Sequence, residues 1–174
     1  MVSRVLIANR GEIARRIIRS CRSLGVESVA VYSEADAGLA HVGEADHAMA
    51  IGPAPARQSY LVADAILEAA KRAGADAIHP GYGFLSENAD FATAVAGAGL
   101  TWIGPAAETV KAMGNKQRAR DIAIAADVPV VPGSGRLELD DTAGIEAQAA
   151  AIGYPLLVKA AGGGGGIGMR RVDR

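Results

Sequence analysis

Residues 5–32 read VLIANRGEIARRIIRSCRSLGVESVAVY, and this stretch decides the fold. It begins with the apolar run 5–8, which has the length of a buried strand. Apolar side chains then recur at the spacing of one helix face from Ile13 to Leu24, and Gly25 is suited to end that helix. A β-branched run follows at 28–32. The stretch therefore predicts a strand, a helix and a second strand that lies parallel to the first.

The same alternation continues along the chain. Further strands are predicted at residues 48–51, 77–79 and 100–103, with helices at about 61–73 and 89–98. Strands that alternate with helices are typical of an α/β fold, in which helices cover both faces of a parallel sheet. We therefore predict a Rossmann-like, doubly wound sheet.

The later part of the chain predicts a second unit. Strands are indicated at 156–159 and 169–172, on either side of a glycine run. We expect a doubly wound domain over residues 1–103, a helical connector over 104–129, and a second unit over 130–174.

The composition excludes several classes of protein. The chain has 18 Lys and Arg residues against 19 Asp and Glu residues, and a net charge of −1 does not favour nucleic acid or a membrane surface as a partner. The single cysteine, Cys21, excludes an internal disulfide, and we interpret it as a core residue of the first helix. The three histidines lack metal-ligand spacing, and no apolar run has membrane-spanning length. We therefore expect a cytoplasmic protein.

A glycine run points to a phosphate-binding loop. Residues 159–170 read KAAGGGGGIGMR. Glycines let backbone N–H groups approach a phosphate, and Lys159 adds a positive charge. The alternative is a flexible linker, but the run is short and lies between two predicted strands. It fits neither the dinucleotide fingerprint, which needs a helix after the last glycine, nor a Walker A loop, which has lysine where Met169 stands. The pattern predicts a hairpin lid over a nucleotide.

Five motifs resemble those of the biotin carboxylases, which are ATP-grasp enzymes found alone or as the first part of acyl-CoA and pyruvate carboxylases. The resemblance extends over essentially all 174 residues. The motifs, in chain order, are IANRGEIA at 7–14, AIHPGYGFLSEN at 77–88, WIGP at 102–105, MGNK at 113–116, and GYP at 153–155 with the strand and glycine run that follow. The resemblance implies a Rossmann-like domain and, over residues 130–174, the start of an ATP-grasp domain with its lid.

The resemblance also implies roles for individual residues. It implies that four residues contact ATP: Lys116, Lys159, Gly165 and Gly166. Lysines neutralise the polyphosphate, and a lid that excludes water strengthens every such contact. Tyr82 and Glu87 are implied to border the bicarbonate and biotin region. The alternative for that segment is a structural turn in which Glu87 caps the next helix.

Complete family members use Mg-ATP to phosphorylate bicarbonate, and biotin captures the CO₂ that carboxyphosphate releases. The resemblance therefore implies ATP, Mg²⁺ and carrier-bound biotin. It also implies that the Mg²⁺ ligands and the general base follow residue 174, so we expect the 174-residue chain alone to be inactive. Two positions depart from the family pattern. Asn115 stands where aspartate is usual, and Ile167 stands where a basic residue is common.

The resemblance also implies partners. These are a biotin carboxyl carrier protein, a carboxyltransferase and, in the full enzyme, further copies of the same chain. An alternative function is a non-catalytic assembly or dimerisation module. In that case the arginine-bearing helix segment 15–22 would form the contact surface.

Overall fold

A computed structural model describes residues 1–135, 137, 140–159 and 168–174. Its elements, in chain order, are β1 Arg4–Ile7, α1 Gly11–Ser23, β2 Glu27–Tyr32, α2 Ala40–Glu44, β3 His47–Ala50, α3 Ala63–Ala73, β4 Ala77–His79, α4 Ala89–Gly97, β5 Thr101–Trp102, α5 Ala107–Gly114, α6 Lys116–Ala125, α7 Thr142–Ile152, β6 Leu156–Lys159 and β7 Met169–Val172. Strands β1 to β5 form a parallel sheet in the order β3-β2-β1-β4-β5. This order confirms the predicted doubly wound sheet.

The central strand β1 contributes side chains to both faces of the sheet. Val5 and Ile7 lie in one apolar cluster with Ile18 of α1. Leu6 lies in the other cluster, with Ile66 of α3. Helices therefore cover both faces, which explains why β1 is an uninterrupted apolar run rather than an alternating one.

Glycines end two of the helices that the sequence predicted. Gly25 follows α1 with φ +68°, and Gly74 follows α3 with φ +62°. A side chain rarely adopts this left-handed conformation, and glycine does so without a steric penalty. The Gly25 N–H donates to the carbonyl of Arg22, and the Gly74 N–H donates to the carbonyl of Lys71. The two predicted helix ends are confirmed.

The structure also contains elements that the sequence analysis did not predict. These are α2 and two short 3₁₀ turns, Glu34–Asp36 and Ala56–Gln58. No side chain caps the N-terminus of α2. The helix has only five residues, and one of them is Gly43. It therefore lacks the start signal and the length by which a helix is usually recognised.

Two carboxylates join neighbouring strands at the amino edge of the sheet. Asp46 accepts hydrogen bonds from the backbone and the hydroxyl of Ser28 at 2.8 and 2.7 Å. Asp76 accepts from the backbone and the hydroxyl of Ser3 at 2.8 and 2.6 Å, and from the Arg4 N–H at 3.1 Å. Burial alone would raise the pKa of Asp76, but these hydrogen bonds outweigh burial and hold the pKa below its ordinary value.

The chain divides into two compact units, Met1–Lys111 and Ala112–Arg174. The second unit contains α6, α7 and the antiparallel pair of β6 and β7, in which Lys159 pairs with Met169. This pairing confirms the predicted hairpin strands, while residues 160–167 between them lie outside the described residues. None of the described residues from 112 onward is buried. The predicted boundaries at 103 and 130 stay a prediction.

None of the helices in the described part of the chain has the length and apolarity needed to cross a membrane.

The Asp76 contacts predict a pH-dependent contribution to stability. Asp76→Asn should lower the free energy of unfolding at pH 7 by about 1–2 kcal/mol. Both carboxylate oxygens of Asp76 accept from N–H groups, whereas asparagine has a single acceptor oxygen, so at least one N–H loses its partner. Since the folded-state pKa of Asp76 is depressed, its contribution is present above the unfolded pKa of about 3.9 and is lost as the pH falls through the folded pKa.

Urea unfolding at pH 7 and at low pH measures this effect. The control is Glu68→Gln, which neutralises an exposed carboxylate on α3. A stability difference between wild type and Asp76→Asn that does not narrow in acid would contradict the assignment.

The contrast between the two units predicts their amide protection. Val5–Ala8 amides should exchange far more slowly than those of residues 156–158, because β1 is buried between two strands whereas β6 has one partner strand and exposed side chains. Hydrogen exchange followed by mass spectrometry or NMR measures both segments in one sample. Equal protection of the two segments would contradict the prediction.

Candidate functional site

The candidate site lies at the carboxyl edge of the five-stranded sheet, where β1 and β4 end side by side. The chain leaves β1 toward β2 on one side, while β4 lies on the other side of β1. The Ala8 N–H still donates to the carbonyl of His79 at 2.9 Å, so the two strand ends are in register. In open α/β sheets this change of direction leaves a crevice in which ligands bind.

Asn9, the second residue after β1, joins the two strand ends. Its side chain is fully buried, with 0% exposed. The Nδ2 amide donates to the carbonyls of Pro80 and Tyr82, each at 2.8 Å, and Oδ1 accepts from the Arg10 N–H at 3.0 Å. Both N–H donors and the carbonyl oxygen of the amide are therefore used, as burial requires.

Gly81 lies against the Asn9 side chain. It has φ +65°, and a Cβ atom here would lie 2.6 Å from Cγ2 of Ile13 and 2.8 Å from Nδ2 of Asn9. The Gly81 N–H donates to Nδ1 of His79 at 3.0 Å. Burial, and to a lesser extent the charge of Arg16, lowers the pKa of His79, which favours the neutral ring that this hydrogen bond needs. Only glycine fits this position.

Tyr82 projects from the same loop and is 60% exposed. Its phenol donates a hydrogen bond to the carboxylate of Glu12, in the first turn of α1. This hydrogen bond and the negative charge of Glu12 raise the pKa of Tyr82 above its ordinary value. The loop after β4 therefore presents a protonated phenol to solvent at the carboxyl edge of the sheet.

A polar and aromatic cluster contacts Phe84, at the far end of the loop that follows β4. The Asp36 carboxylate accepts hydrogen bonds at 2.7 to 3.0 Å from three side chains, Arg10, Ser33 and Tyr60. Burial alone would raise the pKa of Asp36, but these hydrogen bonds outweigh burial and lower it. Burial and the bond to Asp36 raise the pKa of Tyr60 to about 12.

Phe84 stacks on Tyr60 with ring centroids 5.0 Å apart, and the Arg10 guanidinium lies 5.5 Å from the Phe84 ring centroid. Phe84 itself has φ +44°, a conformation that costs energy for an aromatic residue. The aromatic stack and the cation–π contact hold it there.

Glu87 does not have the structural role considered as the alternative. It lies exposed in the turn before α4, but the residue that caps α4 is Asn88, whose side chain accepts from the Phe91 N–H at 3.0 Å. The alternative in which Glu87 caps the helix is therefore wrong, although the turn itself is present. Asparagine fits the cap position better, because its short side chain reaches the free N–H groups of the first turn.

The predicted nucleotide contacts lie in the second unit. Lys116 is the first residue of α6, and the Asn115 side chain caps that helix by accepting from the Arg118 N–H at 3.0 Å. Lys159 is the last residue of β6 and is exposed. Gly165, Gly166 and Ile167 lie outside the described residues. Asn115 therefore keeps the capping function that an aspartate would have there.

Among the described residues, no three His, Cys, Asp or Glu side chains converge as a metal-binding group would. The Mg²⁺ that the resemblance implies is therefore not assigned to any of them.

The sequence analysis did not find several residues that shape this edge. Asn9, Glu12, Asp36 and Tyr60 are separated along the chain, and only the folded sheet brings them to the loop after β4. One signal was available for Asn9. A polar residue directly after a buried strand must find partners at the strand end.

Comparison with known proteins agrees with this architecture. Residues 1–110 match the family model described as "Biotin carboxylase, N-terminal domain", and residues 115–174 match "Carbamoyl-phosphate synthase L chain, ATP binding domain". The biotin carboxylase of Pseudomonas aeruginosa is 56% identical over 173 residues, which is 99% of this chain and 38% of that protein. The mitochondrial methylcrotonoyl-CoA carboxylase subunit alpha of Dictyostelium discoideum is 53% identical over 99% of this chain and 25% of its own length.

Two solved structures that are similar to this chain are also biotin carboxylases. The Campylobacter jejuni biotin carboxylase in complex with β,γ-ATP has a TM-score of 0.91 at 44% identity, over 100% of this chain and 39% of that one. The biotin carboxylase domain dimer of Hydrogenobacter thermophilus 2-oxoglutarate carboxylase was solved with MgADP, ADP and bicarbonate. It has a TM-score of 0.89 at 46% identity, and the match covers 99% of this chain and 38% of that one. The chain thus spans less than two fifths of these relatives. Because the first family model covers well over half of the 174 residues, the chain belongs to the biotin carboxylase N-terminal domain family.

Proposed function

We propose that this chain is the N-terminal part of an ATP-dependent biotin carboxylase. One observation carries the proposal: a biotin carboxylase N-terminal domain and an ATP-binding domain are matched one after the other in the same chain. In the proposed reaction, a bicarbonate oxygen attacks the γ-phosphorus of ATP and ADP leaves. The resulting carboxyphosphate releases CO₂ and phosphate. The ureido nitrogen of carrier-bound biotin then gives up its N–H proton to that phosphate and forms a bond to the CO₂.

In this proposal the second unit binds the nucleotide. Lys116 and Lys159 neutralise phosphate oxygens, and the backbone of Gly165 and Gly166 covers the phosphates. The antiparallel pairing of β6 and β7 supports this assignment, because it sets Lys159 at the base of a hairpin whose connection contains the glycine run. The position of Lys116 in the first turn of α6 also supports it, since a helix N-terminus favours negative charge.

The carboxyl edge of the five-stranded sheet faces the substrates in this proposal. Tyr82 and Glu87 border the bicarbonate and biotin region, and both side chains are exposed within one short segment. Because the phenol O–H is donated to Glu12, the phenol oxygen can accept a hydrogen bond from a substrate donor such as the ureido N–H.

A biotin carboxyl carrier protein and a carboxyltransferase are the proposed partners, together with a second copy of the chain. The relatives support this, since they include a subunit of methylcrotonoyl-CoA carboxylase and a biotin carboxylase domain that was solved as a dimer.

The two lysines give the sharpest test of the proposed nucleotide site. In a chimera in which residues 1–174 replace the matching part of the Pseudomonas aeruginosa biotin carboxylase, Lys116→Ala and Lys159→Ala should each weaken ATP binding. A charge-assisted contact to phosphate contributes about 1.5–3 kcal/mol, so the expected loss is about tenfold to a hundredfold. We expect the larger loss for Lys159, which ends β6 and stands close to the glycine run in the sequence. Isothermal titration calorimetry measures the affinity.

Lys71→Ala, which removes an exposed lysine of α3, is the matched control and should keep wild-type affinity. Ile167→Arg should tighten ATP binding if a basic residue at this position contacts phosphate. If the two alanine variants lower the melting temperature but bind ATP normally, both lysines are structural and the nucleotide site is wrong.

A further inference from the structure

Five residues after β4, at positions 80–84, form a loop that is constrained along its whole length. The carbonyls of Pro80 and Tyr82 both accept hydrogen bonds from the Asn9 side chain. Gly81 and Phe84 both have a left-handed backbone conformation. We call residues 80–84 the Tyr82 loop. Exposed loops are ordinarily the least constrained parts of a fold, so these constraints require an explanation.

The constraint at the base of the loop depends on the chemistry of one side chain. Asn9 reaches two carbonyls of the loop from one Nδ2 atom, while its Oδ1 accepts from the next residue's N–H. A carboxylate has no donor and a hydroxyl has only one, so the primary amide is the group that satisfies both carbonyls. Because Asn9 is fully buried, losing it leaves these partners unpaired away from water.

Close packing adds a second constraint. Gly81 lies between the two carbonyls that Asn9 holds, and there is no room for a Cβ atom between Ile13 and the Asn9 amide. The loop backbone is therefore pressed directly onto the turn that connects β1 to α1.

Tyr82 is held at its backbone by the turn between β1 and α1 and at its phenol by the first turn of α1. Its backbone carbonyl is bound to Asn9, and its phenol is bound to Glu12. A residue that is 60% exposed contributes little to the core, so core packing does not account for this arrangement. Fixing a side chain before its ligand arrives removes the entropy cost of ordering it on binding.

We propose that Asn9 and Gly81 are positioning residues, which fix the Tyr82 loop so that the phenol, oriented by Glu12, is presented in one conformation to the substrate. This proposal rests on the proposed function, which places Tyr82 beside the bicarbonate and biotin region. It adds the residues that act through Tyr82 and do not themselves contact the substrate.

The first test follows the Tyr82 phenol in the 174-residue chain, without nucleotide or substrate. Tyrosine labelled with ¹³C at Cζ is titrated by NMR, and the Tyr82 signal is identified by its loss in Tyr82→Phe. In the wild type the pKa of Tyr82 should lie above its ordinary value of about 10. Glu12→Gln should lower it toward that value. Asn9→Ala and Gly81→Ala should also lower it, because a released loop no longer holds the phenol against the carboxylate.

Gly99→Ala is the matched control for Gly81→Ala. Gly99 also has a left-handed φ, of +76°, but a Cβ atom there would meet no other atom within 4 Å. It carries the same backbone strain without the close approach, and it should leave the Tyr82 titration unchanged. If Glu12→Gln lowers the pKa of Tyr82 while Asn9→Ala and Gly81→Ala leave it at the wild-type value, neither residue positions the phenol and the proposal is overturned.

The second test measures the consequence for the reaction in the chimera described above. Tyr82→Ala and Gly81→Ala should each raise the KM for free biotin several-fold and leave the KM for ATP unchanged, whereas Gly99→Ala should change neither. If Tyr82→Ala raises the KM for biotin and Gly81→Ala does not, the positioning role is overturned. An unchanged KM for Tyr82→Ala would instead overturn the proposed substrate contact, so the two failures are distinguishable.

Discussion

The buried amide of Asn9 is the interaction on which the arrangement of the sheet's carboxyl edge depends. It connects the second residue after β1 to two carbonyls after β4, across the position where the chain changes direction in the sheet. Gly81, Tyr82 and Phe84 all take their positions in a backbone that this amide holds. The cluster of Asp36, Tyr60 and Arg10 then supports the far end of the same loop.

The two units contribute differently to the proposed enzyme. The first unit has an apolar cluster on each face of its sheet, and its polar groups are concentrated at the sheet edges. The second unit exposes large apolar side chains on its hairpin, among them Leu157, Val158 and Met169. In the proposed function the first unit orients groups toward bicarbonate and biotin, and the second contacts ATP. Orientation of groups toward a substrate requires a rigid scaffold.

Much of the fold could be predicted from the sequence, because local patterns determine it. The apolar run of β1, the helical spacing of α1 and the glycines at 25 and 74 are signals within a few residues of the elements that they define. The short helix α2 lacks such signals, and Asn88 rather than Glu87 caps α4 because of geometry at a single position. The partners of Asn9 lie more than 70 positions away, so the local pattern shows that Asn9 needs partners but does not identify them.

The central claim, that the Asn9 amide holds the Tyr82 loop, can be measured at the amide itself. In protein labelled with ¹⁵N and ¹³C, the two Nδ2 protons of Asn9 should exchange slowly with solvent. They should also show hydrogen-bond scalar couplings to the carbonyl carbons of Pro80 and Tyr82. The side-chain amide of Asn88, which is exposed, is the internal reference. If the Asn9 protons exchange as fast as those of Asn88 and show no coupling to either carbonyl, the carboxyl edge is not organised in this way.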